Sequence, residues 1–349
     1  MGKLIKSKAR ELILIAAIIV IAVIICLFQV YGLGAKASFV SSLNITNILY
    51  SNAVFGIMAM GMMMVITTGN IDVSIGAQYA IAGMVVALVA KATGGNYPLV
   101  AILAGMGTGL ILGLVNGLIV AKLKIPAIVV TLGTMNIMRG TLNLITSGNW
   151  IDGLGGAFAK FANLRPLKAV FNLLGKKGPA MLFNLPLAVY IWLIVMIFTY
   201  IFLYRTKFGR DILAVGGNKE AAKRMGLSST KAYLLSFGYM GMLAGLAASI
   251  AASKIKIAQP SNGTGYEMKL IAACVIGGTE FSGGIASILG TFLGVLLLGV
   301  IENGLVLTKV PTYWQDLATG IIIILAVASG IFRSLKGSGK KTKNGGEHK

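Results

Sequence analysis

Apolar runs of roughly 20 residues, long enough to cross a bilayer as a helix, recur along almost the whole of this 349-residue chain. In lipid every backbone N–H and C=O must be bonded inside the protein, so helices are the natural spanning element for such runs. The fold class expected is an all-α polytopic membrane protein. Charged residues make up 12% of the chain, against about 25% in soluble domains. The first run, ELILIAAIIVIAVIICLFQV, follows the basic MGKLIKSKAR. It is too long for a signal peptide's apolar region and lacks a small-residue cleavage site, so it is read as a first span. Further spans are predicted at 46–68, 75–91, 97–121, 126–146, 186–204, 232–252, 266–282, 285–308 and 314–332. That gives about ten helices in one membrane domain, 1–332, followed by a basic Gly-rich tail, 333–349, of disordered composition.

The formal charge is +21. Nucleic-acid binding is one reading of such a balance, but no motif for it accompanies the charge. The basic residues gather at the chain ends and in one loop, which is the positive-inside pattern of a membrane protein. It places 1–11, 122–124, 205–231 and 333–349 in the cytoplasm, and with them both termini, for a multi-pass membrane protein. The external loop 147–185 contains KFANLRPLKAVFNLLGKKGP. This stretch suits a short interfacial helix or a surface for an extracellular partner.

Several chemistries lack their residues. The single histidine, His348, lies in the tail, which leaves no His-based triad, metal site or proton relay in the core. Lys176 and Lys177 follow Gly175, but the upstream Gly of a P-loop is missing. Cys26 and Cys274 lie in apolar runs and read as small buried hydrophobes. The residues do not support an enzyme, and no cofactor or metal is expected in this chain.

Ionisable residues inside spans are costly and mark function by default; here they are Asp72, Arg139, Glu267, Lys269, Glu280, Glu302 and Asp316. TTGNIDVSIG, at 67–76, breaks an apolar run with two glycines, Asn70, Asp72 and Ser74, so irregular backbone is expected there. GGTEFSGG, at 277–284, looks alike. In the fifth span Thr131, Thr134, Asn136, Arg139, Thr141 and Asn143 are polar, and positions 132, 136, 139 and 143 share a helical face. That stripe suits the path of an uncharged, hydroxyl-rich solute; interhelical hydrogen bonding, with Arg139 paired to a carboxylate, is the other reading. Glu267 fits a helix start. Gly105, Gly109, Gly113 and Gly117 recur every fourth residue, and Gly241/Gly245 and Gly290/Gly294 repeat the spacing, which favours close helix packing.

One long polar interruption stands out, Arg205–Lys231. It predicts a short helix, Lys219–Met225, started by Asn218 as N-cap and stopped by Gly226. Lys219, Lys223 and Arg224 would be exposed beside a small apolar face of Ala221, Ala222 and Met225, either a bare surface stub or a docking ridge.

At these residues a resemblance emerges. GNIDVSIG, KIPAIVVTLGTMNIMRG, FGRDILAVGGNKEAAKRMGL and IAACVIGGTEFSGGIASILGTFLG resemble, in order, blocks of the permease subunits of bacterial ATP-binding-cassette (ABC) importers of the ribose/galactose/xylose type. The likeness covers about 45–332. LKIPAIVVTLGT, SGNWIDGL, GTGYEMKLIAACVIGG and VPTYWQDLATGIII are most similar to the branch that imports the signal autoinducer-2. The resemblance implies a vitamin-B12-importer-like (type II) ten-helix permease moving a simple sugar or sugar-like solute. It implies a coupling helix at about 217–226, with Gly217, Asn218, Glu220, Ala221, Ala222, Met225 and Gly226 as the ATPase-coupling residues. Asn70, Asp72, Ser74, Thr134, Asn136 and Arg139 are the residues expected to shape or line the path. Implied partners are two ATPase domains (a dimer or a fused pair, holding ATP and Mg), a second permease (paralogue or identical copy), an extracytoplasmic sugar-binding protein and membrane lipid. An ion-coupled secondary transporter using Asp72 or Glu302 is the alternative.

Overall fold

The computed structural model describes residues 2–32, 34, 38–168, 185–311 and a few positions up to 324. The loop segment 169–184, nearly all of the expected span 314–332 and the tail lie outside the described residues. Long helices dominate: α1 (Gly2–Leu27), running into a π-turn at Phe28–Gly32, α2 (Ser42–Thr67), α3 (Ile75–Ala92), α4 (Pro98–Leu123) and α5 (Ala127–Thr146). After a one-turn α6 (Phe158–Phe161) come α7 (Leu187–Arg205), α8 (Lys207–Gly217), α9 (Lys219–Arg224), α10 (Ser229–Ile255), α11 (Tyr266–Ile276) and α12 (Ile288–Leu307). Eight helices among the described residues are long and apolar enough to span a membrane.

Local chemistry sets their ends. Ser41, Thr206, Asn218, Ser228 and Ser287 each accept a hydrogen bond from a backbone N–H of the helix they precede, which satisfies one of the donors a helix start leaves open.

The expected span 266–282 is a correction. Its helix, α11, has 11 residues and measures ~16 Å, about half the hydrocarbon thickness. It stops at Gly277–Gly278, where Gly278 takes φ +99°, a conformation that side chains bearing Cβ rarely adopt.

The core is built on α10, which packs against α2, α3 and above all α4. The glycine spacing explains that seam. Gly109 and Gly241 each face the other's carbonyl, Gly245 meets the Gly105 carbonyl, and Gly113 meets the Phe237 carbonyl, so a methyl at Gly109, Gly113, Gly241 or Gly245 would strike backbone, and one at Gly105 would strike the Val86 side chain. Such proximity suits dispersion and weak Cα–H···O contacts, the association available between helices in lipid. Gly290 against Gly277, and Gly294 against Ala273, repeat it between α12 and α11. Gly109→Val is accordingly expected to prevent stable assembly, read as loss of the monodisperse peak in detergent chromatography, whereas Gly107→Ala, with open space around it, leaves the peak unchanged.

Two ends of the bundle can be distinguished. The near end carries 205–231 together with the turns 68–74 and 277–287. The far end carries the turn after α3, the segment 147–165 and the start of α2, where Asn44 and Asn303 exchange hydrogen bonds of 2.9 and 3.1 Å.

Candidate functional site

The break at 68–74 is real: α2 ends at Thr67 and α3 begins at Ile75. Asp72 and Ser74 are fully buried within it. Ser74 donates to the Asp72 Oδ1 atom from its N–H at 2.7 Å and its hydroxyl at 2.6 Å, and Gln78 Nε2 donates to Oδ2 at 3.0 Å. Gln78 Nε2 and Asn116 Nδ2 also donate to Ser74 Oγ, at 2.9 and 2.7 Å. This network joins the turn to α3 and α4 and aims its donors at one carboxylate. The other faces of the amides, Gln78 Oε1 and Asn116 Oδ1, are buried without a partner. Asp72 and Ser74 therefore shape this region from inside and present no surface. Asn70 is half-buried and bonds back to Thr68. Gln78 and Asn116 were missed by sequence reasoning, because one amide per helix carries no pattern.

α5 is the least covered of the central helices. Asn136, Gly140 and Asn143 are exposed on it and Thr134 is half-covered, its hydroxyl bonded to the Thr131 carbonyl. Thr131 faces inward and accepts from the N–H of Val73 at 3.1 Å, tying α5 to the broken turn. Arg139 takes neither of its expected forms cleanly. Its guanidinium donates to the carbonyls of Pro260 and Asn262, at 2.6 and 2.8 Å. It fixes the non-helical stretch between α10 and α11 and, among the described residues, pairs with no carboxylate at ion-pair distance. Glu267 lies in the first turn of α11, as a helix-start carboxylate should.

The loop 205–231 folds as its residues dictate. α9 spans Lys219–Arg224, Asn218 Oδ1 accepts from Ala221 N–H at 2.9 Å, and Gly226 follows at φ +77°. Gly217, Asn218, Glu220, Ala221, Met225 and Gly226 are exposed, as are Lys219, Lys223 and Arg224. Ala222 corrects the expected face: it is fully buried, and a one-turn helix must turn some side to its own chain. Sequence reasoning also missed α8, whose last two residues, Gly216 and Gly217, are helical.

Those two glycines join the near end together. The N–H of Gly284 donates to the Thr67 carbonyl at 2.8 Å. A methyl at Gly216 would lie on that same Thr67 carbonyl, and one on Gly284 would lie on Gly217. One on Gly283 would meet Gly216 O at 2.7 Å and Gly69 N at 2.8 Å. The turn with Asp72, the turn after α11 and the exposed α8–α9 loop thus meet backbone to backbone.

A membrane bundle with an exposed near-end helix wired to buried breaks in its spans fits a transport subunit. The family model described as "Branched-chain amino acid transport system / permease component" matches residues 44–327. The chain belongs to this family. The permease is 37% identical over 290 residues to the ribose import permease RbsC of Bacillus subtilis, covering 83% of this chain and 85% of that one. It is 36% identical to RbsC of Escherichia coli K12 over 314 residues, covering 90% and 91%. It is 37% identical over 304 residues to the autoinducer 2 import system permease LsrC of Salmonella typhi, covering 86% and 81%. No solved structure matches the permease significantly.

Proposed function

We propose that the permease forms half of the membrane pathway of an ATP-driven importer in a bacterial cytoplasmic membrane, moving a simple sugar or sugar-like solute inward. Its place among sugar import permeases rests on relatives that span most of the chain. The observation that carries the mechanism is the exposed α9 helix joined through Gly216–Gly217 to the turns at 67–69 and 283–284. A paired ATPase, binding ATP and Mg, would seat α9 in a groove; closure would move α9 and, through the backbone contacts, the breaks in α2–α3 and α11–α12. The exposed polar side of α5, with Asn136 and Asn143, would face a second permease across a central path. Lipid-facing amides would be costly there. An extracytoplasmic binding protein would deliver solute to the far end, and the near end would be cytoplasmic. Ribose and autoinducer-2 are the first solutes to try.

The test is co-purification of the tagged permease with an ABC-type ATPase from the same cells. Glu220→Arg combined with Ala221→Asp changes two exposed α9 side chains and no buried one. It is expected to strip the ATPase away while the permease keeps its chromatographic profile. If wild type binds no ATPase and takes up solute under a membrane potential alone, the ion-coupled alternative stands.

A further inference from the structure

The charges that sequence reasoning found in the spans do not all serve the network at Asp72. Lys269 on α11 and Glu302 on α12 form an ion pair of 2.8 Å, and their side chains keep 32% and 38% of their exposure. The pair sits deep. Lys269 Nζ stands 5.9 Å from the ring centre of Phe55, and Phe55 is at the middle of the 26-residue α2. At that depth exposure is either to lipid or to water. A partly solvated ion pair facing hydrocarbon is strongly disfavoured, and spans turn such groups toward a protein interior or a wet cavity.

Aromatic and polar side chains surround the pair. Tyr266 packs against Phe55 with ring centres 4.4 Å apart and the planes tilted by 46°. One turn toward the far end, Ser51 is exposed on the same face of α2, with Lys254 Nζ 3.5 Å from its hydroxyl. Lys254 also lies over the Tyr50 ring at 4.0 Å, and the Tyr50 hydroxyl donates to Asn163 of the far-end segment at 2.8 Å. Four elements therefore frame a strip that runs from the far end to mid-bundle, with aromatic faces beside paired opposite charges.

Resting on the importer reading, we propose that this cleft is a binding subsite for a neutral polyhydroxylated solute entering from the far end. Phe55 and Tyr266 offer apolar faces to sugar C–H groups. Lys269 and Lys254 donate to hydroxyl oxygens, Glu302 accepts from hydroxyl protons, and Ser51 does both. The chemistry selects against other solutes. An anion would have to displace Glu302 from Lys269, and an apolar solute would bury the ion pair without replacing its water.

The experiment uses the whole transporter in intact cells, with Ser51→Cys and a membrane-impermeant cationic methanethiosulfonate applied from outside. The parent chain, whose Cys274 is buried and Cys26 half-buried, and Leu103→Cys on the exposed apolar side of α4 are the controls. Ser51→Cys is expected to be modified and both controls spared. Whichever of ribose, xylose or galactose the wild type takes up should slow that modification. Phe55→Ala is expected to raise the KM for its uptake by roughly tenfold, a loss of about 1.4 kcal/mol of binding, with Vmax and ATPase co-purification retained. No modification of Ser51→Cys, its cross-linking to the second permease instead, or an unchanged KM in Phe55→Ala overturns the proposal. Failure of the importer reading would show separately, as wild type that takes up no sugar and binds no ATPase, whatever the labelling of Ser51→Cys.

Discussion

Replacing Gly216 by valine is expected to leave the permease assembled with its ATPase and to lower solute uptake by on the order of tenfold or more, the scale of a coupling free energy of about 1–3 kcal/mol. Its new side chain would meet the Thr67 carbonyl and the Gly284 N–H, so the turns at 67–69 and 283–284 must part from α8. The α9 residues on offer to the ATPase, Glu220, Ala221 and Met225, are exposed beyond this contact and stay available. The measurement pairs uptake with ATP hydrolysis in the same vesicles: hydrolysis continues while uptake falls. Gly107→Ala on α4 is the control, because open space surrounds that helical position and it lies outside the α8–α9 loop. A Gly216→Val chain that transports at the wild-type rate removes this junction from the mechanism.

The second large effect concerns Asp72. Asp72→Ala strands the Ser74 N–H and takes one acceptor from Gln78 in a site with no exposure. Each buried group left unsatisfied costs about 1–3 kcal/mol, so the chain is expected to lose ~3 kcal/mol and unfold at clearly lower temperature in detergent. Asp72→Asn behaves differently. Its amide N–H can donate to Gln78 Oε1 once that side chain turns over, which gives a partner to an atom that now has none. We expect near-native thermal stability for Asp72→Asn. Equal losses in the two variants would show that the negative charge, and not the hydrogen-bond geometry, holds the turn.

How far the sequence could be read depends on where the information sits. Spans were legible because apolar length is a local property, and α9 because Asn218 and Gly226 are local signals for start and stop. α11 was overestimated because hydropathy continues through Ile276 into GGTEFSGG, while the glycines end the helix. The polar residues of 67–76 pointed to broken backbone, but not to burial: the Asp72–Ser74 turn is enclosed by Gln78, 6 positions beyond Asp72, and by Asn116, 42 positions beyond Ser74, and each amide is silent alone. Arg139 was legible as an intramembrane cation and illegible as to partner, since its acceptors are backbone carbonyls. Lys269 and Glu302 were both noted, but pairing across 33 positions needs α11 and α12 folded side by side. Ala222 was misread because a six-residue helix has no periodicity long enough to tell which side faces home.

The interlocked glycines of α4 and α10 also bear on motion. Each carbonyl seated against an opposing glycine acts like a tooth in a rack, and a slip of one residue, ~1.5 Å, would drive side chains into backbone. α10, with 27 residues, is therefore a strut ~40 Å long that cannot shorten by sliding along its partner. It starts directly after the α8–α9 loop and ends at Ile255, where it passes into the non-helical stretch whose Pro260 and Asn262 carbonyls Arg139 grips. A displacement applied at one mouth of the bundle arrives at the other nearly undiminished, so the two mouths behave as opposite arms of one lever.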